Sequence, residues 1–185
     1  MSHRKASEAM ATKTDFTPAE WDTLRNAPAL AAAAVMMAGR SGLFGSIKEV
    51  FVLAHTFYES ASSDRPLIQA LSTPEEVKRG QEFVSTQVSV RDAVHAPQTL
   101  RRLAVEHCQT AVGLLRQKGD LADAERYQRW VGEIAQKVAN AAKEGAFLGL
   151  GGERVSEAEH AVLTELGAAF QEAGAAEAVH APHGA

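Results

Sequence analysis

Apolar positions in this chain recur at three- and four-residue spacing and nowhere alternate with polar ones over more than a few residues, a pattern that predicts helices. The clearest helix start is Phe16-Thr17-Pro18-Ala19-Glu20-Trp21. Thr17 is placed to cap, Pro18 suits the first turn, Glu20 closes a capping box, and Phe16 is positioned to staple onto Trp21. This helix runs to about Ala38 and stops at the glycine-rich stretch 39–45. Ile47, Val50, Phe51, Ala54 and Tyr58 then mark a wide inner stripe, which predicts a second and central helix.

Pro66 and the pair Thr73-Pro74 divide the next stretch into a short helical turn and a polar helix, with Glu76 three residues after the Thr73 cap. Residues 85–97 read as irregular, because Val84, Val88, Val90 and Val94 suggest extended chain with no partner strand. A long helix is expected over 99–118, with Leu100, Leu103, His107, Thr110, Ala111, Leu114 and Leu115 on one face. Gly119-Asp120 is a stop and a cap together, so a helical hairpin leads into 121–144, where Tyr127, Trp130, Val131, Ile134 and Val138 form the apolar stripe. A last helix opens at Ser156 with Glu159 three residues on and continues to about Glu172. The expectation is an all-α compact bundle of about six helices, organised around the second and fifth. A flexible arm would occupy 1–15, a single domain 16–174 with 64–97 as an insertion, and a disordered tail 175–185.

Composition narrows the class without naming a reaction. The chain has 185 residues, 45% hydrophobic and 23% charged, the balance of an ordinary globular domain and far from a collagenous or disordered chain. Alanine is the commonest residue and the best helix former. A net charge of −4 with scattered basic residues argues against nucleic acid as a partner. The first residues have no apolar core of a signal peptide, and the longest apolar run, 27–38, is too short and too alanine-rich for a bilayer span. One cysteine, Cys108, allows no internal disulfide, which points to a cytoplasmic, reducing setting.

Several residues invite chemical readings. Glu157 and His160 have Glu-x-x-His spacing, but a di-iron site needs a second such pair and two further glutamates. His55 and Glu59 are one helical turn apart and able to touch. Glu106, His107 and Cys108 are consecutive, so on a helix they diverge by about 100° each and cannot close on one ion; His107 reads as a half-buried histidine beside a small apolar cysteine. Gly145-Ala-Phe-Leu-Gly-Leu-Gly-Gly152 lacks the preceding strand and the Gly-Lys-Ser/Thr of a phosphate loop. No nucleophile motif is present, so the chain is expected to be non-enzymatic and to need no cofactor.

Two stretches share one grammar: an alanine-rich helix, a glycine-rich loop holding Phe and Leu, and a helix opened by Ser-x-x-Glu. The openings Ser46/Glu49 and Ser156/Glu159 lie 110 residues apart, as expected of two related helix-loop-helix halves. Here the chain resembles the TerB-like family of tellurite-resistance and stress-response proteins, through 32–39 leading to Glu49 and 138–145 leading to Glu159. The resemblance implies an all-helical domain built on two helix pairs, a stress-associated setting, and acidic loops that take a divalent cation. The family's loop Asp is replaced by Ala38 or Arg40 in the first copy and by Glu144 in the second. A metal-binding role would therefore fall on Glu49, Glu144 and Glu159, with His55, Glu59 and His107 as further candidates. Two functions follow as expectations: a helical protein acting through a protein partner or self-association, and a metal- or small-ligand binder whose carboxylates converge where the two loops meet.

Overall fold

The first helix of the bundle begins where its local signal places it. In the computed structural model, which describes residues 11–39, 65–88, 94–119, 121–144 and 156–178, Thr17 caps a helix α1 (Pro18–Ala38). The Thr17 hydroxyl accepts from the Glu20 N–H at 3.4 Å and the Glu20 carboxylate accepts from the Thr17 N–H at 2.7 Å, the reciprocal box the sequence predicts. Phe16 and Trp21 rings lie 6.3 Å apart as the staple. Five further helices follow among the described residues: α2 (Pro66–Leu71), α3 (Pro74–Gln87), α4 (Ala96–Lys118), α5 (Leu121–Glu144) and α6 (Glu157–Ala178). No strand occurs among them, so the all-α bundle is as expected.

The centre of the bundle is α1. Every residue from Asn26 to Val35 is buried, with no polar side left over, and α3, α4, α5 and α6 all pack against it. Alanine explains how one helix accepts so many neighbours: Ala27, Ala31 and Ala32 are fully buried and project a single carbon, so surrounding backbones approach closely without voids. The sequence pattern had put the second and fifth helices at the centre; the second, at 47–58, lies outside the described residues, as do the loop 40–45 and hence the pairing of the two halves. A helix apolar on all faces shows no stripe, which is why the periodicity passed over it.

Pro28 sits inside α1 and is itself buried. A proline has no N–H, so the Leu24 carbonyl one turn earlier loses its helical donor. The Tyr127 hydroxyl of α5 supplies a replacement, donating to the Leu24 carbonyl at 2.6 Å in the interior.

The described residues of the segment read as an insertion, 65–88 and 94–97, belong to helices α2 and α3 and the start of α4 and the turns beside them. α3 packs on α1 so tightly that a Cβ added at Gly80 would lie 3.2 Å from the Ala29 Cβ. It continues to Gln87, three residues into the stretch expected to be irregular, because Phe83, Val84 and Val88 are half-buried against the core and packing outweighs valine's preference for extended chain. α4 starts three residues early, at Ala96, with Pro97 in its first turn. Its inner face is Leu100, Ala104, Cys108, Ala111, Val112 and Leu115; Thr110, expected on that face, is exposed and donates to the Glu106 carbonyl. Gly119 ends α4 with its N–H on the Leu115 carbonyl, and a Cβ there would come within 2.8 Å of the same oxygen, so the turn requires glycine. The predicted stripe of α5 is buried throughout, from Tyr127 to Val138. α6 extends to Ala178, so 175–178 of the expected tail are helical.

Of residues 11–15, expected within the flexible arm, Ala11 and Lys13 are tied to the bundle while Thr12 to Asp15 stay exposed. Ala11 is buried and donates its N–H to the Asp123 carboxylate at 2.7 Å, and Lys13–Asp15 forms a 3-10 turn against the bundle. Among the described residues no helix is long and apolar enough to cross a membrane.

Candidate functional site

Glu76 is one of three buried carboxylates among the described residues, with Asp123 and Glu159. The sequence places it at the third position of α3 to complete a capping box, and its N–H does donate to the Thr73 hydroxyl. Its side chain turns the other way. One oxygen accepts from Lys13 Nζ at 2.6 Å and from Trp21 Nε1 at 3.0 Å, and the other faces an Arg25 guanidinium nitrogen at 3.4 Å. Lys13 also lies 5.1 Å from the Trp21 ring centre, and Arg25 holds Asp22 at 2.9 Å. Burial alone would push the Glu76 carboxyl up; the donors from Lys13, Trp21 and Arg25 outweigh it and hold it below the usual carboxylate range. The cluster joins the N-terminal segment, α1 and α3, and its hydrogen bonds and ion pairs fasten the three together.

Of the candidate site residues, Glu159 and His107 are the two whose side chains the structure describes. Glu159 is buried at the start of α6, where its carboxylate accepts from the Ser156 N–H at 2.8 Å and from the Ser156 hydroxyl at 2.9 Å. This is the predicted capping box, and it serves the helix. Its other oxygen lies against the end of α1, within 2.9 Å of where a Gly39 Cβ would stand. Glu144 is the last residue of α5, while Glu49, His55 and Glu59 lie outside the described residues. Glu157 and His160 are both exposed. Among the described residues no three His, Cys, Asp or Glu side chains are gathered closely enough to hold a metal ion.

His107 is half-buried, as expected, with its ring 5.5 Å from that of Phe83 on α3. Its Nδ1 is buried without a hydrogen-bond partner, and burial lowers the imidazole pKa, opposed by the Thr23 backbone and by Glu106. The ring is therefore held neutral as packing between helices. Cys108 beside it is fully buried, and burial pushes its thiol up to about 12, which leaves it inert as a nucleophile or ligand.

The surface feature that sequence reasoning missed is a groove between α4 and α6. It encloses about 610 Å³ and is open to solvent along its length. One wall is an outward row of α4: Gln98, Arg101, Arg102, Val105, Glu106 and Gln109. The other is α6, with Ala168 and Ala169 between Glu165 and Glu172. Arg101 pairs with Glu165 across the groove, Gln109 donates to Glu172 at 3.0 Å, and Arg102 holds Glu106 one turn on at 2.8 Å. The groove's signal in the sequence is the charged group Arg101, Arg102 and Glu106 within six residues of α4, while the α6 wall lies about sixty residues away.

No family model, curated protein or solved structure matches this chain.

Proposed function

We propose that the protein is a non-enzymatic helical module that acts by contact with another polypeptide through the α4–α6 groove. The observation that carries this is the contrast between two sets of polar groups. The buried set around Glu76, Glu159 and Tyr127 is consumed in capping and joining helices, and the exposed set lines an open groove with an alanine floor and charges of both signs on its rim. Small apolar floors with polar rims suit a segment of protein better than a small molecule, which wants an enclosed pocket. The cytoplasmic setting expected from the single cysteine and the stress-associated one implied by the TerB-like resemblance belong to this proposal. Photo-crosslinking in cells tests it: a photoreactive amino acid at Gln109 or Ala168 is expected to yield a discrete polypeptide adduct, and one at Gln136, exposed on α5, is expected to yield none. Equal labelling from all three positions, or no adduct from the groove, overturns it.

A second reading, cation binding by Glu49, Glu144 and Glu159, is favoured by one observation, the placement of the Glu159 carboxylate against Gly39 at the end of α1. It predicts a stoichiometric divalent ion in native mass spectra that is lost in Glu159→Gln. Spectra of the wild-type protein unchanged by calcium, magnesium, manganese or zinc would remove it.

A further inference from the structure

The outward row of α4 has an internal order that its composition hides. Turned end for end about a point between residues 103 and 104, Gln98 falls opposite Gln109, Arg101 opposite Glu106, and Arg102 opposite Val105. The basic half of the row thus meets the acidic half of an identical row laid antiparallel, and it does so twice, as a twofold interface requires. Laid parallel, the same row would set arginine beside arginine. The rim also carries no field of one sign, since Arg101 and Arg102 are offset by Glu106, Glu165 and Glu172, so nothing in it selects a strongly acidic or basic partner.

We infer that the occupant of the groove is a second copy of this chain, with α4 packed antiparallel on α4 about a twofold axis and Arg101 of each copy facing Glu106 of the other. This rests on the reading of the groove as a polypeptide-binding surface and names its partner. The pairs now made within the chain do not stand in the way. The side chains of Arg102 and Glu106 are 60% and 51% exposed, and an exposed pair one turn apart is among the weakest of ion pairs. Arg101 and Glu165, 41% and 45% exposed, remain reachable from outside. Ala168, exposed on the groove floor, gives the incoming helix room to approach.

Sedimentation velocity on the full chain tests the inference. The wild type is expected to sediment as a dimer at micromolar concentration. Arg101→Glu and Glu106→Arg are each expected to weaken dimerisation tenfold or more, because each sets like charges in apposition. An equimolar mixture of the two variants is expected to regain wild-type association, since each then supplies the charge the other has lost. Val105→Arg, near the midpoint of the row, is expected to give monomer without altering either ion pair, which keeps the test decisive should one charge variant lose its helical circular dichroism. A wild type that stays monomeric into the high-micromolar range overturns the inference. So does a dimer indifferent to these substitutions, or a mixture that fails to recover. If the wild type is monomeric while the groove crosslinks to a different polypeptide, the second copy is excluded and the interaction reading stands; if no crosslink forms either, both fall.

Discussion

Tyr127→Phe is expected to destabilise the bundle by about 1–3 kcal/mol, the usual cost of leaving a buried polar group without its partner. Most of that cost is expected to disappear when Pro28 is replaced by Ala. The reason is geometric. Pro28 removes the N–H that would reach the Leu24 carbonyl, and the Tyr127 hydroxyl, 2.6 Å away and fully buried, is the donor that takes its place. With Ala at position 28 the helical donor returns, so the carbonyl keeps a partner whether or not the phenol is present. Urea denaturation of the wild type, the two single variants and the double variant closes a thermodynamic cycle, with an expected coupling of about 1 kcal/mol or more between residues 99 positions apart in sequence. A Tyr127→Phe cost that is the same with Pro or Ala at position 28 would mean the hydroxyl acts by some other route.

Glu76→Gln is expected to cost about 1–3 kcal/mol at neutral pH, because it removes one of the two carboxylates that compensate the burial of Arg25, 10% exposed, and leaves Asp22 as the other. The contribution of Lys13, whose side chain is 56% exposed, is discounted for screening by solvent. The effect carries a pH signature. The folded-state pKa of Glu76 is depressed, so its stabilisation is fully present above the unfolded carboxyl value of about 4.3 and is lost as pH falls through the lower folded value. Wild type and variant should therefore differ most at neutral pH and converge in acid. Denaturation series at pH 7, at about pH 4 and at about pH 3 check this. A gap that stays constant down to the lowest pH would show that shape, not charge, is what Gln fails to supply.

These two sites mark where the sequence stops being legible. Caps are local: Thr17 with Glu20, Ser156 with Glu159, and Gly119 at the hairpin are each written within four residues, and the helices start and stop there. The stripe of α5 is equally plain, because one of its faces meets solvent and the other does not. α1 has no such contrast, and its place at the centre is known only once four neighbours surround it. Glu76 looks like a capping residue until Lys13, Trp21 and Arg25 arrive from 63, 55 and 51 positions away. The groove is hidden for the same reason, since half of it is supplied by α6, and Arg101 and Glu165 are 64 residues apart. What propensity and periodicity fix is the helices; which polar groups find each other is settled by how those helices cross.

Cys108 lies on the inner face of α4, sealed from solvent, and it is the sole thiol in the chain. A disulfide-exchange reagent in solution can reach it only in molecules whose bundle has opened. Its labelling rate under native conditions, divided by that of a free thiol, therefore counts the fraction of chains open at any moment. The protein carries its own gauge of that equilibrium, readable without denaturant and without any added probe site.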